Sequence, residues 1–358
     1  MRRSSRGRQT IARRVVRSDA ALRPVRRCLI CLALAVHLPV FGEVHGQGPV
    51  ILPPITGLDE FVRVPDDNPL SLPAIALGRR LFFDTRLSRD GTRACASCHN
   101  PGLAFADSLS RSSGVAGRVA ARHTPAIINR AWGSSFFWDG RAESLEQAVL
   151  MPISNPRELD FSPSTAITVL ASDRGVASAF VEAFGTAPDT TTLARALASY
   201  VRTIRSGDSR FDRFRSGEPT ALSAAEQRGM ALFVGEARCS RCHVGANLTD
   251  EDFHNTGTAL GSRDHGREGV TGRREDNGKF RTPTLRDVPR TPPYMHDGSL
   301  PTLEAVIEFY DGGGKPSANL DREIKPLHLK QAEKADLAAF LRALTSSGIS
   351  CGPVNCVP

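Results

Sequence analysis

Aromatic side chains are scarce in this chain of 358 residues: Phe, Trp and Tyr together make up 6%, with two Trp and three Tyr. So lean a set excludes an interior packed mainly by rings. Clear alternation of apolar and polar residues is also rare, which excludes a β-sandwich or barrel as the main architecture. Long hydrophobic runs are missing too. The apolar stretch Cys28 to Phe41 is too short to span a bilayer, and it follows ten Arg within residues 1–27. Basic leader, apolar segment and small or polar residues in that order make a secretion signal. Residues 1–48 are therefore read as a signal peptide, and no stable membrane span is expected after its cleavage.

Excess charge of one sign disappears with that leader. The whole chain carries +8, and residues 1–50 alone hold ten Arg against Asp19 and Glu43. What remains is near neutral, so the high isoelectric point gives no case for nucleic-acid binding. Cysteine is sparse, at eight residues, but it is not scattered. Cys28 and Cys31 leave with the leader. Cys351 and Cys356 sit at the chain end, where an oxidising compartment would let them pair. The other four form Cys95-Ala96-Ser97-Cys98-His99 and Cys239-Ser240-Arg241-Cys242-His243.

Each pentad reads Cys-x-x-Cys-His, the attachment signature of a c-type haem. From this composition chance would supply about 0.004 such pentads per chain. A thioredoxin-like redox pair or half of a zinc site would need the His to be incidental twice. The two Cys add to the haem vinyl groups, and His99 and His243 each supply one axial ligand. Two covalent haems also answer the shortage of aromatics, because they bring apolar surface of their own. Export and haem attachment together indicate a periplasmic protein.

The pentads lie 144 residues apart, which suggests one haem per domain. Helical spacing is expected over Leu72–Phe83, from Ser144 to Leu150, and over Thr192–Ile204, Ser223–Phe233, Leu303–Phe309 and Lys330–Leu344. Ser223 with Glu226 three residues on is a capping box. Long loops fill 100–135, 244–301 and 311–327, and loops this long usually wrap something or act. Ser206 to Thr220 has the composition of a linker. The expected division is a haem domain over 49–212, a second over 213–345 and a tail over 346–358. The fold class is mainly α, two cytochrome c-like helical domains each around one haem.

Further segments resemble the bacterial di-haem cytochrome c peroxidases and MauG-type di-haem enzymes. Before the first pentad stands Phe82-Phe83-Asp84-x-Arg86-Leu87-Ser88; after it come Phe137-Trp138-Asp139-Gly140-Arg141 and Pro152-Ile153-x-Asn155-Pro156. The second half adds Phe253-His254-Asn255-Thr256-Gly257, Phe280-Arg281-Thr282-Pro283-Thr284-Leu285-Arg286 and Pro293-Tyr294-Met295-His296-Asp297-Gly298. The likeness runs from about residue 70 to 344.

That resemblance implies roles for single residues. A His sixteen positions after the first pentad His caps the peroxidatic iron in the peroxidases; here the position is Val115, which leaves the first haem open. His123, which falls where the family has a calcium-binding Asn, is the rival ligand. Glu158 matches the distal acid/base that serves O–O cleavage. A distal Gln also belongs to the pattern, but Ala148 stands there and Gln147 comes one residue early. Trp138 matches the Trp between the two haems. Fourteen residues after His296, where the peroxidases have a Met ligand to the second iron, stands Tyr310, as in MauG-type enzymes. Met is otherwise confined after the leader to Met151, Met230 and Met295. A Tyr ligand favours ferric and higher states, whereas Met raises the potential. Thr291 and Pro293 match backbone ligands of an interdomain calcium. Arg281 and Arg286 are propionate partners or ordinary salt links.

The resemblance thus implies an oxidoreductase that reduces H2O2 to water. Electrons would come through the second haem from a small cytochrome c or a cupredoxin. The MauG-like alternative uses H2O2 to oxidise a protein or organic substrate. A third reading, a dihaem electron-transfer cytochrome, needs both irons six-coordinate. A homodimer is compatible with any of them.

Overall fold

The computed structural model describes residues 50–258 and 264–358. The leader expected over 1–48, with Cys28 and Cys31, lies outside the described residues. Ten helices follow in chain order: α1 Leu72–Phe82, α2 Leu145–Ser154, α3 Pro163–Ala171, α4 Arg174–Phe184, α5 Thr190–Thr203, α6 Arg210–Arg215, α7 Ala224–Val234, α8 Glu268–Thr271, α9 Leu303–Asp311 and α10 Gln331–Arg342. Four short strands complete the described set: β1 Ile204–Ser209, β2 Phe253–His254, β3 Phe280–Arg281 and β4 Ser346–Cys351. The described chain is mainly helical, as its weak strand pattern requires.

Two helix crossings build the scaffold, each made close by a glycine. Ser71 caps α1, and Pro73 in its first turn needs no hydrogen-bond partner there. The helix then crosses α5 at Gly78, where a Cβ would lie 1.9 Å from the Ala196 carbonyl oxygen. Leu77, Leu81, Phe82, Phe105, Leu197 and Tyr200 pack around that crossing. In the second half α7 starts with the expected Ser223–Glu226 capping box. It crosses α10 at Gly229, where a Cβ would meet the Asp336 carbonyl oxygen at 2.0 Å. Phe340 packs there between Phe211 and Phe233.

The segment with linker composition begins as regular structure. Its first residues form β1, which pairs antiparallel with β4 from Ile204↔Cys351 to Ser209↔Ser346. Small polar side chains let this strand be buried, because partners satisfy them. Asn129 exchanges two 2.8 Å bonds with the Ser206 main chain, and the Ser206 hydroxyl donates to Asp287. Asp287 also accepts from the Ser346 amide at 3.0 Å. The supposed tail is thus partly a strand, and a Cys351–Cys356 disulfide closes it. The Cys351 sulfur lies 4.0 Å from the Tyr200 hydroxyl, which donates to the Cys356 carbonyl at 2.9 Å.

Candidate functional site

Both pentads form a short 3-10 turn, Cys95–Ser97 and Cys239–Arg241, with the His just beyond. The turn brings two thiols and one imidazole to the same side of the chain. All four thiols are free, unlike the terminal pair. His99 Nδ1 lies 2.9 Å from the Phe105 carbonyl oxygen, and His243 Nδ1 lies 3.0 Å from that of Leu248. Each carbonyl accepts an N–H, so each ring keeps its Nε2 lone pair for a metal. Burial lowers both ring pKa values, which keeps the rings neutral. These are the donors a c-type haem needs: a thiol pair and an oriented imidazole at each pentad.

The second pentad opens on a large apolar cavity. Cys239, Cys242, His243 and Tyr310 line it, as do Trp138 and His296. Helix α9 carries Tyr310 in its last turn, and the Thr302 cap fixes where that helix begins. Burial pushes the Tyr310 hydroxyl up to about 12, against a bond with Thr256 that lowers it. Tyr310 and His243 therefore face one cavity, the two residues that the resemblance pairs there.

Around the first pentad the arrangement differs. The Val115 amide donates to the Glu158 carbonyl at 2.8 Å, so the position lacking a His is tied to the residue read as acid/base. Val115 is buried. The Glu158 carboxyl accepts from Asn155 Nδ2 at 2.6 Å. It is close enough to Cys95 and Cys98 for its charge to help raise both thiols. Burial raises the Glu158 pKa, while Arg141 and Asn155 pull it down. Gln147 does not join this group: its side-chain oxygen accepts from the Glu143 amide at 2.8 Å, at the start of its own helix.

Trp138 is buried between the two halves. Its Nε1 donates to the His123 carbonyl at 2.8 Å, and its own carbonyl accepts from the Arg281 amide at 2.8 Å. Arg281 lines the cavity and also pairs with Glu251 at 3.1 Å. Arg286 does not serve a propionate. It is buried against Asp212 at 2.7 Å, and its remaining donors reach the carbonyls of Gly57 and Ala246. His123 lies in the cavity lining, where its Nδ1 donates to the Leu109 carbonyl at 2.9 Å. Thr291 and Pro293 line the same cavity.

One cluster was not read from the residues. His254 lies between two carboxylates, Nδ1 2.6 Å from Asp321 and Nε2 2.9 Å from Asp250. Its pKa is raised, chiefly by the bond to Asp250, so a cation stands in the cavity wall. Asp250 is four residues from His254 and could have been suspected; Asp321 is 67 residues away and could not.

Comparison with known proteins agrees with this geometry. Residues 73–220 match the family described as di-haem cytochrome c peroxidase. The methylamine utilization protein MauG of Methylorubrum extorquens is 42% identical over 292 residues, 80% of this chain and 82% of that protein. Cytochrome-c peroxidase IdrP1 of Pseudomonas sp. (strain SCT) is 34% identical, covering 91% and 93%. Among solved structures, a MauG-like protein associated with microbial copper homeostasis is 36% identical with a TM-score of 0.75, covering 84% and 95%.

Proposed function

Since this chain belongs to the di-haem cytochrome c peroxidase family, with two c-type haems, we propose that it reduces H2O2 at the first of them. Two protons and two electrons convert one H2O2 to two waters. The haem, when bound, supplies the iron that takes up peroxide and spends the electrons. Glu158 takes the proton from the near peroxide oxygen and returns it to the leaving one. Asn155 aims that carboxyl, and partial burial holds its pKa up, so a proton can rest there between the two transfers. Trp138 carries charge between the haems, and His243 with Tyr310 holds the second. The observation that supports this most is the main-chain bond that ties Val115, apolar at the sequence position of the capping His, to Glu158, whose carboxyl is titratable.

Tyr310 favours a second reading within the same family. Bound to iron, Tyr310 would give up the proton that burial otherwise holds on it, and a hard phenolate would lower the second haem's potential. It makes the pair a reservoir of oxidising equivalents for a protein or organic substrate. In the first reading the donor is a small cytochrome c or cupredoxin. Both place the protein in the periplasm. Among the described residues no helix is long and apolar enough to cross a membrane.

Low-temperature EPR of the ferric holoprotein tests the open site. One high-spin and one low-spin haem are expected, with the low-spin signal altered in Tyr310→Phe. Two low-spin signals in the wild type would overturn the open first haem. An unaltered Tyr310→Phe spectrum would remove Tyr310 as a ligand.

A further inference from the structure

The loop after the first pentad, the buried Trp138 and the His296 loop meet at His123. It is 4% exposed. Its amide donates to the His296 carbonyl at 2.8 Å, its carbonyl accepts from Trp138 Nε1 at 2.8 Å, and its ring Nδ1 donates to the Leu109 carbonyl at 2.9 Å. One residue thus joins the loop after the first pentad, the buried Trp and the His296 loop of the second half. The ring bond fixes the main chain that makes the other two.

The resemblance implies a calcium ion at this junction, and the residues here do not suit one. Calcium takes about six to eight oxygen ligands. The side chain of His123 offers only Nε2, a nitrogen, and burial keeps the ring neutral. Thr291 and Pro293, matched through their backbone, would supply two carbonyl oxygens, well short of that number. Asp107 comes within 3.9 Å of the ring but accepts from the Leu109 amide and the Ser112 hydroxyl. Among the described residues, the group of three His, Cys, Asp or Glu near enough to share an ion is Cys242, Asp250 and His254. There both ring nitrogens of His254 are already taken.

We infer that His123 replaces the interdomain calcium: this protein joins its haem-bearing halves with an imidazole clamp and binds no calcium there. His123 is a positioning residue, because it acts through Trp138 and the His296 loop. The inference stands whichever substrate the enzyme uses.

The test uses the holoprotein with both haems attached. Elemental analysis after dialysis should find calcium well below one per chain. Titration with CaCl2 should give no binding heat, and EGTA should leave the EPR spectrum and the melting temperature unchanged. One calcium per chain, removed by EGTA with a change in either readout, would overturn the inference. In His123→Asn, loss of the ring bond should lower the melting temperature by about 2–4 °C and perturb the EPR spectrum. A His123→Asn protein identical to wild type in both readouts would remove the clamp. Should that variant not fold, the wild-type calcium content and EGTA response decide alone.

Discussion

A partly buried carboxyl beside a haem pentad is held in tension between two influences. Desolvation favours its neutral form, whereas Arg141 and the Asn155 amide favour the charged one; for Glu158 the first prevails, and the pKa is raised above 4.5. The catalytic base is the charged form, so peroxide reduction should fall as pH drops through a value above 4.5. Initial rates of peroxide consumption across pH would show that acid limb. Glu158→Gln keeps the shape and the Asn155 contact but cannot accept the proton. It should lower turnover by about 10²- to 10⁴-fold and abolish the limb. A variant with wild-type rates would dismiss Glu158 as the acid/base. At this scale much could be read from residue spacing. The pentads follow from their spacing alone, while Val115, Glu158 and Tyr310 are singled out by the resemblance to the family. The His254 cluster and the Arg286–Asp212 pair follow from neither, because their partners are 67 and 74 residues apart. A charged residue near a motif does not say whether it faces a cofactor or a neighbour.

Helices depend on a different kind of information. The six read from apolar spacing are all present, with ends within a few residues; α2 continues to Ser154 with Pro152 in its last turn. The pair α3 and α4 was not anticipated. The stripe of α3 is faint, whereas α4 has a clear apolar face and an Asp173 cap that the reading passed over. Composition misleads over 206–209, where small polar residues serve a buried strand. What spacing cannot show is how closely helices approach. Gly78→Ala would force a methyl against the Ala196 carbonyl, and Gly229→Ala would do so against that of Asp336. Each should cost about 1–3 kcal/mol, visible as a lower melting temperature. Gly269→Ala, with open space around its Cβ, should change stability by less than about 0.5 kcal/mol. Equal effects at all three sites would reject the close-crossing account.

Across the whole molecule, one carboxylate holds residues from both halves. Glu251 accepts from Arg130 at 2.7 Å and from Arg281 at 3.1 Å, and both guanidinium groups are buried. Arg130 comes from the stretch before Trp138, while Arg281 follows the second pentad and gives its amide to the Trp138 carbonyl. The pentads therefore announce two haems, but the joint between them is built from Glu251, Arg130, Arg281 and His123, whose mutual contacts the pentads do not show. Burial opposes the charge on Glu251, yet the two Arg outweigh it and its pKa is lowered. A depressed carboxylate gives stability that is full above its unfolded value of 4.5 and is lost as pH falls through the folded one. Glu251→Gln leaves two buried cations facing a neutral amide. At pH 7 the loss should be about 3–5 kcal/mol, the usual result of removing one partner from a buried pair. The gap from wild type should close at acid pH, where Glu251 is itself neutral. Melting curves at both pH values, with EPR to follow the haem spectra, would show whether stability and haem environment move together. A gap that persists unchanged into acid would mean that Glu251 acts through shape and not through charge.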